Sequence, residues 1–203
     1  MADKIVVDIF RNKSAEDFTK ALSSPDSRMD TGSGAAAVAA VAASFLLRAA
    51  QSAARSAEGN ERIEYIVRNG EILRSYMVHL IDEDVKCRAP LNRALREGGE
   101  REIEACRQTA VAICNEITNM MGKCLELADE LSDLCGSAEL RWLGDCAQLA
   151  LSAMKLSMSF AMNMANSCCD DTFRFVAGRE NEMELAEFGP IADRIIKKAV
   201  SHL

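Results

Sequence analysis

Apolar residues recur along this chain at three- and four-residue steps, the period of one face of an α-helix, and they do so in long stretches. Ile63, Ile66, Val67, Ile72, Leu73, Met77, Leu80, Ile81 and Val85 form one such stripe, which predicts a helix from Asn60 to about Cys87. Pro90 disfavours helical geometry at Ala89, so a break is expected there before a short continuation to Arg96, and Gly98-Gly99 is the stop. A second stripe, Ile103, Cys106, Ala110, Ile113, Ile117, Met120, Cys124, Leu127 and Leu131, predicts one helix from Glu100 to about Leu134. Gly136-Ser137 closes it. A third run, with Leu149, Leu156, Phe160 and Met164, predicts a helix capped by Asp145 and reaching about Ser167, apolar on more than one side.

Upstream, Ser14 followed by Asp17 has the form of a capping box and starts a short helix to about Ser23. Residues 1–13, with Ile5-Val6-Val7, read as an extended arm. Pro25 to Ser27 break the chain. Asp30-Thr31-Gly32-Ser33-Gly34 reads as a small-residue loop before an alanine-rich helix from Gly34 to Ala57. Downstream, 170–203 is more polar, with Pro190 near the start of a final helix ending at His202. There is no linker and no repeat. The expectation is a single all-α domain over 1–203, a bundle of about five to seven helices with long antiparallel core helices. The wide apolar surface of the Asp145–Ser167 helix adds an expected homodimer.

Composition narrows the function. Three prolines, eleven glycines and 5% aromatic residues argue against a sheet-rich fold. A net charge of -7 is the wrong sign for neutralising a nucleic-acid backbone. The longest apolar run, Ala35 to Leu47, stops at Arg48, short of the roughly 20 residues that cross a bilayer, so no membrane span is expected. Eight cysteines include no C-x-x-C pair, and with two histidines zinc spacing is absent, so no metal is expected. Cys106, Cys114, Cys124 and Cys135 read as buried packing thiols. With no secretory signal visible at the N-terminus, the expected location is the cytoplasm.

Four features bear on chemistry. The Gly32-Ser33-Gly34 segment opens a helix, where close backbone approach and free N–H groups suit an anionic ligand or, equally, a tight packing turn. Asp82 and Asp84 are two residues apart on a helix, hence about 200° apart around it, so at most one faces a given cleft. His79 is within one turn of Asp82 and Glu83, and the alternative for the whole segment is a solvated acidic helix end. Asn163 stands on an otherwise apolar helix, where a buried amide needs partners. Lys86, Arg88, Arg93 and Arg96 form a basic group after the acidic segment.

The order of these features resembles the cyclodeaminase and methenyltetrahydrofolate cyclohydrolase family, the C-terminal domain of formiminotransferase-cyclodeaminase, over about Phe18 to Asp171. The residues that carry it are Thr31-Gly32-Ser33-Gly34-Ala35 before the alanine run, Leu80-Ile81-Asp82-Glu83-Asp84, Gly144-Asp145, and Asn163-Met164. The chain departs from the family at Thr31 and Asn115, where proline is expected, at Ser33 for glycine, at Ala35 for serine and at Ser167 for asparagine. The resemblance implies a folate one-carbon enzyme acting at N5 and N10 of tetrahydrofolate, either as a cyclohydrolase or as a cyclodeaminase. It implies Asp84 as the catalytic acid/base and Gly32, Ser33, Gly34, Asp145 and Asn163 as substrate-binding residues. No cofactor or metal is implied, the folate being the substrate. The altered loop supports an alternative, a non-catalytic helical dimer on the same fold.

Overall fold

A computed structural model describes residues 9–201. Six α-helices follow a 3-10 turn at Phe10–Asn12: α1 (Ala15–Ser23), α2 (Thr31–Ser56), α3 (Glu61–Glu97), α4 (Glu100–Leu134), α5 (Ser137–Asn166) and α6 (Asp171–Val200). No strand occurs among the described residues, and the all-α bundle is the fold. Successive long helices run antiparallel. Ser52 near the end of α2 donates to Glu139 at the start of α5, and Ser157 of α5 donates to the Cys114 carbonyl of α4. Cys124 and Cys146, ten residues further along α4 and eleven residues back along α5, are again in contact.

The core is built largely from small side chains. Ala35, Ala36, Ala39, Ala42, Ala43, Ala49 and Ala50 of α2 are fully buried, as are Ala147, Ala150 and Ala153 of α5. Short side chains let these two helices lie close, and Leu46, Met154, Met121 and Ile117 fill the remaining volume. α2 is long and apolar enough to cross a membrane by length and composition. Its apolar faces are spent instead on α3, α4 and α5. Gly122 of α4 is required by shape, since a Cβ there would lie 2.5 Å from the Phe188 ring of α6.

The helix starts follow the predicted chemistry in part. Ser14 accepts from the Asp17 N–H at 3.1 Å. Asn60 accepts from Arg62 and Ile63 at the head of α3, after Gly59 turns the chain at φ +80. Four boundaries differ from expectation. Thr31, not Gly34, opens α2, so the small-residue segment is its first turn and Asp30 is its cap. Pro90 and Pro190 both lie inside continuous helices, α3 and α6. A proline removes one ladder bond, and packing on both flanks offsets that loss. α5 begins at Ser137, eight residues before Asp145, so Asp145 is a mid-helix residue and caps nothing. The expected arm becomes a 3-10 turn that buries Phe10; Ile5-Val6-Val7 and His202 lie outside the described residues.

Candidate functional site

The site is built where α2 begins. Asp84 of α3 is 1% exposed, and its Oδ2 accepts from the Ser33 N–H at 2.9 Å and from Ser33 Oγ at 2.7 Å. Ser33 Oγ also lies 3.2 Å from the Ile81 carbonyl. The carboxylate therefore sits at the positive end of α2 as an internal anion, taking an N–H that sequence reasoning offered to a ligand. Gly32 makes this possible, because a Cβ there would fall 2.2 Å from Asp84 Oδ1. Gly32, Ser33 and Asp84 are thus one unit.

Burial pushes the Asp84 carboxyl above its ordinary range, against the opposing pull of Ser33 and of the Arg88 charge. Arg88 follows Asp84 by one helical turn, so both face the same side of α3. Its guanidinium pairs with Asp30 Oδ2 and lies 4.7 Å over the Phe160 ring of α5. Its Nε is buried without a hydrogen-bond partner. Asp30 also accepts from the Thr31 N–H at 2.6 Å. Burial pushes Asp30 up, but the Thr31 bond and Arg88 outweigh it and hold the carboxyl below the usual range.

Beside these groups is a cleft of about 550 Å³, walled by Pro25, Met29, Asp30, Gly34, Arg88 and Leu156 among others. That volume suits a small organic ligand of two fused rings. The cleft thus offers an exposed carboxylate, a guanidinium and apolar walls, with Asp84 beneath the turn rather than on the wall. Cys114, buried on α4, is no nucleophile: burial and then the Asp84 charge raise its thiol to about 12.

The other residues singled out from sequence go elsewhere. Asp82 is buried, but it accepts from the Phe10 N–H at 2.7 Å and pairs with Arg11 at 3.2 Å, which docks the N-terminal turn. The solvated acidic helix end is thereby ruled out for Asp82 and Asp84. Glu83 remains half-buried at the surface, 3.3 Å from His79. Asn163 is exposed, so it is no buried amide. Asp145 lies eleven residues before Leu156, roughly 16 Å along α5 from the cleft wall. Asp145, Leu156 and Asn163 nonetheless share one outward line on α5, spaced by eleven and seven residues. Among the thiols, Cys114 and Cys124 are buried as expected, whereas Cys106 and Cys135 are only half so. Sequence reasoning missed Asp30 and met Arg88 only within a basic group read by default as solvated charge; the four-residue step from Asp84 to Arg88 was the available signal.

The family described as formiminotransferase-cyclodeaminase matches residues 14–174. The chain belongs to that family. Among solved structures, it is similar to formiminotetrahydrofolate cyclodeaminase from Thermotoga maritima, with a TM-score of 0.87 and 17% sequence identity over 94% of this chain and 97% of that one. No curated protein sequence matches the chain. At that identity the structural likeness establishes the fold.

Proposed function

We propose that this formiminotransferase-cyclodeaminase family member is a folate one-carbon enzyme acting at N5 and N10 of tetrahydrofolate. The observation that carries the reading is the charged cluster of Asp84, Arg88 and Asp30 at the head of α2, beside a cleft of two-ring size. Cyclohydrolysis adds water to the methenyl carbon and opens the ring to 10-formyltetrahydrofolate. Cyclodeamination closes 5-formiminotetrahydrofolate with loss of ammonia. Cyclohydrolysis takes protons from the attacking water and returns one to N5, and cyclodeamination takes the N10 proton and returns one to the departing ammonia. Each is thus served by one group that both accepts and donates, which suits a carboxyl whose affinity for a proton has been raised by burial, as for Asp84. Arg88 and the Gly32–Gly34 turn then position the anionic tail and the ring, and no cofactor takes part in the proposed proton transfers.

In this proposal Asp84 is the acid/base, reached when the first turn of α2 shifts, and Asp30 is the second carboxylate, already on the wall. A second copy lying along the outward line of α5 would bring Asp145 and Asn163 to the rim as binding residues. The purified protein is to be assayed with both folates and sedimented at the same concentration. Turnover of either supports the proposal, and a dimer mass supports the shared rim. Loss of turnover in Asp30→Asn with retention in Asp84→Asn would exchange their roles.

One observation favours a different reading, a non-catalytic helical dimer. Asp84 is sealed, and Ser33 donates twice to its Oδ2, as it would to a purely structural carboxylate. Absence of folate binding by calorimetry, with a dimer in solution, would establish it.

A further inference from the structure

α4 and α6 run side by side in the same direction, and their two ends are treated differently. Toward the C-terminal ends, α6 supplies cations to α4: Arg194 Nε donates to Asp129 at 3.0 Å, and Lys198 reaches the Ser132 carbonyl and Asp133, both at 2.6 Å. Toward the other end, a cleft of about 270 Å³ is lined by Asn115, Thr118 and Asn119 of α4 and Glu180, Asn181 and Glu184 of α6. Every one of these side chains is polar, two are carboxylates, and none carries a positive charge.

The lining is short of partners. Asn181 is only 9% exposed, and its Nδ2 is sealed without a hydrogen bond, as is Glu184 Oε2. Buried polar atoms are nearly always paired, so two orphans in one wall point to a missing guest. Glu180 and Glu184 are one turn apart and face the same side of α6. Among the described residues, Asn115 Nδ2, at 3.3 Å, offers Glu180 a bond. Burial pushes the Glu184 carboxyl up, and the Glu187 and Glu180 charges push it further.

We propose that this cleft is a site for a hard divalent cation, Ca²⁺ or Mg²⁺, held between α4 and α6 by Glu180, Glu184 and the amide oxygens of Asn115, Asn119 and Asn181. The donor set is all oxygen, which suits these ions and not zinc or copper. Half a turn of the Asn181 amide exchanges its unpartnered N–H for a carbonyl oxygen of the same reach. The volume holds an ion with several of its waters. No group of three or more His, Cys, Asp or Glu gathers among the described residues, so here the amides must complete the shell. Glu180, Asn181 and Glu184 lie beyond the segment matched to the family, so the site is not implied by membership.

The test uses the full chain stripped with a chelator, then titrated calorimetrically and melted in CaCl₂ or MgCl₂, with NaCl at matched ionic strength as reference. The expected result is one saturating ion per chain and a rise in melting temperature of at least about 5 °C at a hundredfold excess over Kd. Whichever chloride gives the tighter isotherm identifies the ion. Glu180→Gln and Glu184→Gln should each weaken binding at least about tenfold, while Asp129→Asn, at the cationic end, leaves it unchanged. Circular dichroism establishes that the variants fold. No saturable heat beyond the NaCl reference, or affinity unmoved by Glu184→Gln, overturns the proposal.

Discussion

The bundle handles buried carboxylates in two ways. At the head of α2, Asp84 is more deeply buried than either glutamate of the α4–α6 cleft, yet the chain itself supplies its partners, two donors from Ser33 and the charge of Arg88 nearby. In the α4–α6 cleft, Glu184 and Asn181 keep buried atoms that nothing in the chain satisfies. The first arrangement pairs its carboxyl, though it leaves Arg88 Nε without a partner, and holds that carboxyl in a costly but defined state. The second is incomplete and calls for a guest. Burial alone does not distinguish a site; the state of the partners does.

The strongest perturbation of the first arrangement is Gly32→Ala, which places a methyl on Asp84 Oδ1. A loss of about 3 kcal/mol in chemical denaturation is expected, along with loss of any turnover. Ser33→Ala removes both the hydroxyl bond to Asp84 and the contact with the Ile81 carbonyl and should cost about 2 kcal/mol. Because the Ser33 bond is the largest influence holding the Asp84 carboxyl down, the same variant should move the acid limb of the pH–rate profile upward.

Asp84→Asn acts in the opposite sense on stability. The folded carboxyl titrates above its ordinary value of 3.8, so its contribution is fully present below that pH and is lost as pH rises through the folded value. The neutral amide carries no such loss. The variant should therefore match or exceed the wild type in thermal stability at neutral pH while losing turnover, a separation that no packing defect produces. The smallest effect is expected in the incomplete arrangement. Glu184→Gln removes one of the mutually repelling charges on α6 and should stabilise the cation-free protein by about 0.5 kcal/mol, measured in a chelator.

The fold was legible because its signal is periodic. The stripes through Ile63 to Val85 and Ile103 to Leu131 each named a helix, α3 and α4, whose buried faces include most of those residues, although Ile72, expected in the first stripe, points to solvent. The boundaries were less legible where local chemistry is overridden by packing. Asp30 caps α2 three residues earlier than the glycines suggested, and α3 and α6 carry their prolines without a break. Asp145 looked like a cap because Gly144 precedes it, but Gly144 is small for another reason: a Cβ there would lie 2.7 Å from Ala199 of α6.

Of the site, the family resemblance gave Gly32, Ser33 and Asp84 as candidates, and the 200° argument allowed at most one of Asp82 and Asp84 to face a given cleft. Sequence spacing did not show that the Ser33 N–H is taken by Asp84 itself, since that contact joins residues 51 apart. Nor did it pair Arg88 with Asp30, 58 residues apart. The α4–α6 cleft was invisible for the same reason, as its six residues come from two helices and include no cysteine or histidine.

The central claim is that Asp84 moves a proton on a folate. The most direct measurement follows the near-ultraviolet absorbance of 5,10-methenyltetrahydrofolate across pH with the wild type and with Asp84→Asn, beside a protein-free blank; formation of the same chromophore from 5-formiminotetrahydrofolate covers the reverse choice of reaction. The account predicts catalysed change in one of the two directions by the wild type, and its loss in an Asp84→Asn protein that melts no lower. Turnover at the wild-type rate by Asp84→Asn would contradict it.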